Sequence, residues 1–211
     1  MTPKERNYEN LADTLIENFA HRGIEAYYAG TEDEAVSKAI RFLTPGCSVS
    51  FGGSETLKEI GLIDTLKATD CTIYDRSTPQ TPEDKKEMFG KIATCDFYFM
   101  STNGITLDGQ LVNIDGYGNR VASLIHGPQN VIIVSGMNKV CTDVDSAIQR
   151  VRNIAAPPNT VRLGRKTPCA VTGKCGDCLS PDCICSHVVV TRRSPIPNRI
   201  KIILVGRELG Y

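Results

Sequence analysis

The sequence predicts an α/β fold: a mixed, mostly parallel sheet with helices on both faces. Three observations carry this. Short apolar runs of strand length alternate with amphipathic stretches of helical period along most of the chain. Runs such as Phe97–Met100 and Val131–Val134 are apolar throughout, as strands buried on both faces are. Only one segment alternates around an Asp-Gly pair, the mark of an antiparallel hairpin.

The elements follow in order. Tyr8, Leu11, Leu15 and Phe19 share one face of a helix over residues 5–22, stopped by Gly23. Ile24–Tyr28 is a strand. Thr31 and Glu34 form a capping box opening a helix that Pro45-Gly46 ends. Ser48–Phe51 is a buried strand, and Gly52-Gly53-Ser54 turns into a short helix with Leu57 and Ile60 inward. Cys71–Tyr74 is a strand. Thr81-Pro82 opens a helix through about Ala93, with proline at the first helical position. After Phe97–Met100 comes the hairpin, Ile105–Leu107 and Gln110–Ile114 around Asp108-Gly109. A turn at 115–119 leads to a further strand, Arg120–Ile125. Val131–Val134 is a strand and Asp143–Ile154 a helix, and Pro157-Pro158 closes the regular region. Residues 159–186 show no periodicity. Two strands, His187–Thr191 and Ile200–Val205, end the chain. The whole of 1–211 reads as one domain carrying 159–186 as a Cys-rich insertion.

Composition excludes several classes. Lys+Arg and Asp+Glu both number 24, and no basic run marks a nucleic-acid partner. No apolar run approaches the ~20 residues that span a bilayer, and the polar start is unlike a signal peptide. The expected location is the cytoplasm, whose reducing conditions argue against a disulfide framework for the nine cysteines. Cys47, Cys71 and Cys95 stand at the starts of apolar stretches and read as buried small hydrophobes.

Five cysteines crowd into Cys169–Cys185 with the spacing C-x5-C-x2-C-x4-C-x-C. The C-x2-C pair lets two thiolates converge on one ion, and Gly173 and Gly176 let the backbone fold around it. The expected ligands are Cys169, Cys175, Cys178 and Cys185, with Cys183 spare. Four thiolates suit either a 4Fe-4S cluster or zinc; the compact spacing of Cys175, Cys178 and Cys185 leans towards iron–sulfur.

A second set of residues points to an anion. Gly52-Gly53-Ser54-Glu55-Thr56 has the form strand, glycine turn, helix, and lies where ligands of α/β sheets sit, beyond the carboxyl end of a strand. Ser54 reads equally as a plain helix cap. Asn103, Gly116, Asn119, Arg120 and the strand-end Lys139 are the further ligand-binding candidates. Glu55, Glu59, Asp108 and Asp115 are candidate general bases. His21, His126 and His187 are isolated, and no Ser/His/Asp hydrolase is indicated.

The run Leu111-Val112-Asn113-Ile114-Asp115-Gly116-Tyr117-Gly118-Asn119-Arg120-Val121-Ala122, followed by Gly127-Pro128 and Asn138-Lys139, resembles the LUD (lactate-utilisation) family. So do Ala155-Ala156-Pro157, Thr167-Pro168-Cys169 and Cys175-x2-Cys178-x-Ser180-Pro181-Asp182. Cys183 stands where the family pattern more often has a basic residue. The resemblance implies a fold similar to ribose-5-phosphate isomerase and the CoA-transferases, and a link to oxidation of L-lactate to pyruvate.

The leading expectation is therefore a redox-linked metabolic protein that binds a small anionic metabolite and passes electrons through the cysteine-bound centre. Its implied partners are iron–sulfur or flavoprotein electron carriers, with homo-oligomerisation left open. The polypeptide itself has no hydride-accepting group. One rival is a non-redox enzyme like the isomerases and transferases of that fold. Another is a metabolite-binding or redox-sensing module with structural zinc.

Overall fold

The computed structural model describes all 211 residues. Helix α1 (Pro3–His21) opens on a Thr2 capping box and buries Ala12, Leu15 and Phe19. Strand β1 (Glu25–Ala29) follows. Thr31 caps α2 (Glu32–Ile40) by accepting the Glu34 N–H at 3.2 Å. The other half of the expected box is diverted, because Glu34 Oε2 accepts the Gly30 N–H at 2.8 Å instead. Next come β2 (Ser48–Phe51), α3 (Glu55–Glu59), α4 (Leu62–Lys67), β3 (Thr72–Tyr74), α5 (Pro82–Ala93) and β4 (Phe97–Met100). The second half holds β5 (Gly104–Thr106), β6 (Leu111–Asp115), α6 (Asn119–Ile125), β7 (Asn130–Gly136), β8 (Val140–Cys141), α7 (Val144–Arg150), α8 (Ala156–Arg162), α9 (Pro168–Thr172), β9 (His187–Thr191) and β10 (Ile200–Val205).

Six strands form a wholly parallel sheet in the order β1-β10-β7-β4-β2-β3. The antiparallel strands stand apart from it, in a four-stranded sheet of order β8-β5-β6-β9. Side chains of the main sheet alternate between two cores, as the period of a strand requires. Tyr98, Met100, Val131, Ile133, Ile202 and Leu204 face α1 and the small sheet. Phe97, Phe99, Ile132, Val134, Ile203 and Val205 face α2, α3 and α4. Each strand of the centre is thus buried on both faces, which explains its unbroken apolar sequence.

Two expectations are corrected. Residues 120–125 form helix α6 rather than a strand. Val121 and Leu124, three residues apart, are buried, while Ile125 is exposed, which fits a helical face and not alternation. Gly118, at φ +80°, turns the chain into it. The end of α6 is held from far away: the buried Arg199 guanidinium donates to the carbonyls of Ser123, Leu124 and Pro128 at 2.9, 2.7 and 3.0 Å.

Pro157-Pro158 does not end the regular region either. A π-turn over Val151–Ala155 runs straight from α7 into α8, and the prolines fall in the first turn of α8, where backbone N–H groups need no helical partner. Cys47 and Cys95 are buried as expected; Cys71 is only half-buried, its Sγ 2.8 Å from that of Cys47.

Candidate functional site

The order of the parallel strands reverses once. From β2 the chain steps outward to β3, then crosses back to β4 and proceeds through β7 and β10 towards β1. The crevice beyond the carboxyl ends of β2 and β4 is the switch point at which such sheets take ligands. A cleft of about 320 Å³ opens there. Its walls are the turn after β2 (Gly53–Thr56), Arg76 after β3, Ser101–Asn103 after β4, Lys139 after β7, and Gly210-Tyr211 after β10. The rest of the rim comes from Asp115–Tyr117, Asn119, Arg120, α8 and the cysteine-bearing loop.

Charge in this cleft is unbalanced. Arg76, Arg120, Lys139, Arg162 and Arg165 line it, against the side chains of Glu55 and Asp115. Glu55 is already paired, to Lys58 at 2.9 Å and Arg162 at 3.3 Å. Asp115 accepts the Gly118 N–H at 3.0 Å and pairs with Arg120 Nε at 3.4 Å. Neither carboxylate is a free base. Arg165 lines the cleft with its Nε buried and unpartnered.

Lys139 is the most unusual group. Its side chain is buried, and Nζ donates to Thr56 Oγ1 at 2.9 Å and Ser101 Oγ at 3.1 Å, with no ion pair. Burial, and then the nearby Arg150 and Arg120 charges, pull its pKa down to about 7 against a weaker opposing pull from Glu59.

Arg120 does not clamp a ligand with free donors. Nη1 donates to the Ser101 carbonyl at 3.1 Å and Asn113 Oδ1 at 2.5 Å. Nη2 donates to Asn103 Oδ1 at 2.7 Å and the Ile114 carbonyl at 3.0 Å. With Nε on Asp115, the whole guanidinium fork is engaged by protein. It ties the end of β4 to β6 and leaves its charge, not its hydrogens, facing the cleft.

The other predicted residues divide. Ser54 caps α3 through the Leu57 N–H at 3.3 Å. Thr56 touches Lys139, and Asn103 accepts from Arg120 and from the Ile114 N–H at 3.1 Å. Gly52 lies behind the wall: a Cβ there would meet Tyr98 Oη at 3.2 Å and the Arg120 stem at 3.6 Å. At Gly53 a Cβ would sit 3.0 Å from an Arg76 nitrogen. Glu59 is outside the cleft and accepts the Gly210 N–H at 2.6 Å, holding the last residues over it. Asp108 is remote from the site; its carboxylate accepts from Thr106 and Gln110 in the hairpin turn and from Arg22 at the end of α1. Asn119 also lines a neighbouring cavity of about 360 Å³, which shares Arg76 and is walled by Phe51, Met88, Phe89, Ile92 and Tyr98.

The cysteine-bearing loop borders the same cleft through Ile184 and Cys185. Gly116 makes this possible, since a Cβ there would lie 3.3 Å from Ile184 Cα. The Cys185 thiol is pushed up to about 12 by burial, and then by its neighbours Cys183, Cys175 and Cys169. Cys175 Sγ accepts from Arg152 Nε at 3.3 Å and the Asp177 N–H at 3.4 Å; Cys183 Sγ accepts the Cys185 N–H at 3.3 Å. Of the four expected ligands only Cys175 receives charge-bearing and backbone donors, and the raised pKa of Cys185 favours its thiol over a thiolate. No three His, Cys, Asp or Glu side chains are grouped within reach of one ion.

Sequence reasoning missed Arg76, Ser101, Arg162 and Arg165. The first two stand just past the ends of β3 and β4, so the strand-end rule applied to Lys139 also reaches them. The last two were hidden by ending the regular structure at Pro157-Pro158.

Fold and cleft together define a parallel α/β protein with a cationic site at the switch point of its sheet. A family model, described as the LUD domain, matches residues 12–205, and the chain belongs to the LUD domain family, which is associated with lactate utilisation. The crystal structure of a DUF162 family protein from Deinococcus radiodurans is 12% identical and superposes with a TM-score of 0.54, covering 94% of this chain and 98% of its own. Ribose 5-phosphate isomerase from Plasmodium falciparum is 19% identical with a TM-score of 0.33, over 53% of this chain and 52% of its own. The eIF2B delta structure from Chaetomium thermophilum is 15% identical with a TM-score of 0.36, over 64% of this chain and 54% of its own. No curated protein sequence matches the chain. No helix is long and apolar enough to cross a membrane.

Proposed function

We propose that this LUD-domain protein binds a small carboxylate- or phosphate-bearing metabolite in the switch-point cleft and takes part in a redox-linked step on it. The observation that carries the reading is the charge of the cleft. Lys139 is buried there without a counter-ion, and Arg76, Arg120, Arg162 and Arg165 line the same cleft against only two acidic side chains, both already paired. An anion supplies the missing charge.

The redox part rests on the family's association with lactate utilisation and on position, since Cys185 and the cationic groups border one cleft. Cys169, Cys175, Cys178 and Cys185 would hold a 4Fe-4S cluster, which supplies one-electron transfer when bound. The chain's own residues bind and orient the anion beside that loop. L-lactate and pyruvate are the first ligands to test.

Thermal denaturation with increasing lactate, pyruvate or phosphate tests the binding. A ligand at 100 times its Kd stabilises the folded state by about 2.7 kcal/mol, so the melting temperature rises with concentration. An unchanged melting temperature with all three, up to millimolar concentrations, contradicts the reading.

A further inference from the structure

We infer that Lys139 is a carbonyl-reactive amine, whose Nζ forms an imine with a small 2-oxo acid held in the cleft. This deepens the anion-binding reading and rests on it. The geometry comes first. Nζ stands between two hydroxyls, Thr56 Oγ1 at 2.9 Å, from the first turn of α3, and Ser101 Oγ at 3.1 Å, from the end of β4. Hydroxyls serve a neutral amine as well as an ammonium, because each can donate to the nitrogen lone pair or accept from its N–H.

No carboxylate forms an ion pair with Nζ. The charged groups near it are Arg120 on α6, Arg150 on α7 and Glu59 on α3. Glu59 is spent on the Gly210 N–H. Arg150 donates to the carbonyls of Asn138, Asn103 and Tyr211, and Arg120 is engaged as described. Burial and the two nearby cations favour the free base, so an unprotonated amine is available near neutrality. Gly210 completes the enclosure. A Cβ there would meet Thr56 Oγ1 at 2.6 Å and Nζ at 3.3 Å, and its φ of +60° also suits glycine.

The step balances without an oxidant. The Nζ lone pair attacks the carbonyl carbon and forms a C–N bond, and a proton passes from nitrogen to the former carbonyl oxygen. The C–O bond then breaks as the resulting hydroxyl takes the remaining N–H proton and leaves as water, and the nitrogen lone pair forms the C=N bond. Thr56 and Ser101 are placed to relay the proton, and Arg76 and Arg162 hold the substrate's negative group.

The test treats the full-length protein with pyruvate or glyoxylate, adds sodium borohydride, and maps adducts by peptide mass spectrometry. Calorimetry measures binding of the same two acids in parallel. The expected result is one saturable adduct on the peptide bearing Lys139, absent from Lys139→Arg. Its formation rate should rise through neutral pH, well below the range in which exposed lysines react. Binding by calorimetry with Lys139 left unmodified, or modified no more than exposed lysines, overturns the imine but leaves the anion site intact. Neither binding nor adduct overturns both.

Discussion

Lys139 Nζ lies 2.9 Å from Thr56 Oγ1, which joins the end of β7 to the first turn of α3 across the switch point of the sheet. The contact closes the floor of the cleft with a cation that has no carboxylate partner. A buried, unpaired lysine is costly to keep charged, and a site that keeps one gains either an anion-binding group or a neutral amine.

That cost has a pH signature. The Lys139 pKa is about 7 in the folded protein against an ordinary value of 10.5. Between these values the unfolded chain binds the extra proton and the folded one does not, so this group makes stability rise with pH across that window. Below about 7 both states are protonated and the penalty is fully present. Urea unfolding in buffers spanning neutral to alkaline pH should show this rise in the wild type. Lys139→Met should flatten it and be the more stable protein at neutral pH.

Arg120 answers to a different rule. Its fork joins the Ser101 and Ile114 carbonyls, Asn103, Asn113 and Asp115. Arg120→Met leaves these acceptors and the Asp115 charge without their donor, and breaking such a buried pair costs about 3–5 kcal/mol. Arg120→Lys should recover little of it, because an ammonium cannot reproduce the planar fork. Chemical denaturation of the two variants checks this; a loss below about 1 kcal/mol, the ceiling for exposed pairs, would contradict the assigned role.

Arg76 is exposed and forms no ion pair, yet it lines both the cleft and the neighbouring cavity. Arg76→Ala should leave stability near that of the wild type while weakening anion affinity about tenfold, the effect of roughly 1.4 kcal/mol. Raised salt should shrink the difference between the two proteins, since an exposed charge is screened. Equal affinities at low salt would remove Arg76 from the site.

For the cysteine loop the expected outcome is iron and sulfide in protein purified without oxygen. Serine at Cys169, Cys175, Cys178 or Cys185 should abolish the bound iron, and Cys183→Ser should retain it. Metal analysis with absorption spectra of the five variants checks the assignment. Cys183 Sγ accepts the Cys185 N–H at 3.3 Å, so iron lost in Cys183→Ser and kept in Cys178→Ser would exchange the two roles.

Local signals made much of the fold legible. Thr81-Pro82 marks the start of α5, and Phe97–Met100 and His187–Thr191 are strands with the expected bounds. What local signals cannot carry is a distant partner. The apolar run 121–125 reads as a strand until Arg199, over seventy residues away, is seen to satisfy the carbonyls at the end of α6. The π-turn before Pro157 is equally invisible in residue types. Thr56 and Lys139 were singled out because strand ends are where α/β folds place ligands, and Asn119 because its turn is rich in polar side chains; all three line the cleft. Asp108 was misjudged because a carboxylate in a hairpin turn looks the same in sequence whether it serves the turn or a substrate.

The most direct test of the cleft is calorimetric titration of lactate, pyruvate and phosphate into wild type and Arg76→Ala at low salt. One binding site per chain for at least one anion, with affinity weakened about tenfold in the variant, is the expected result. Absence of binding heat for all three would contradict the placement of an anion at the carboxyl ends of the parallel strands.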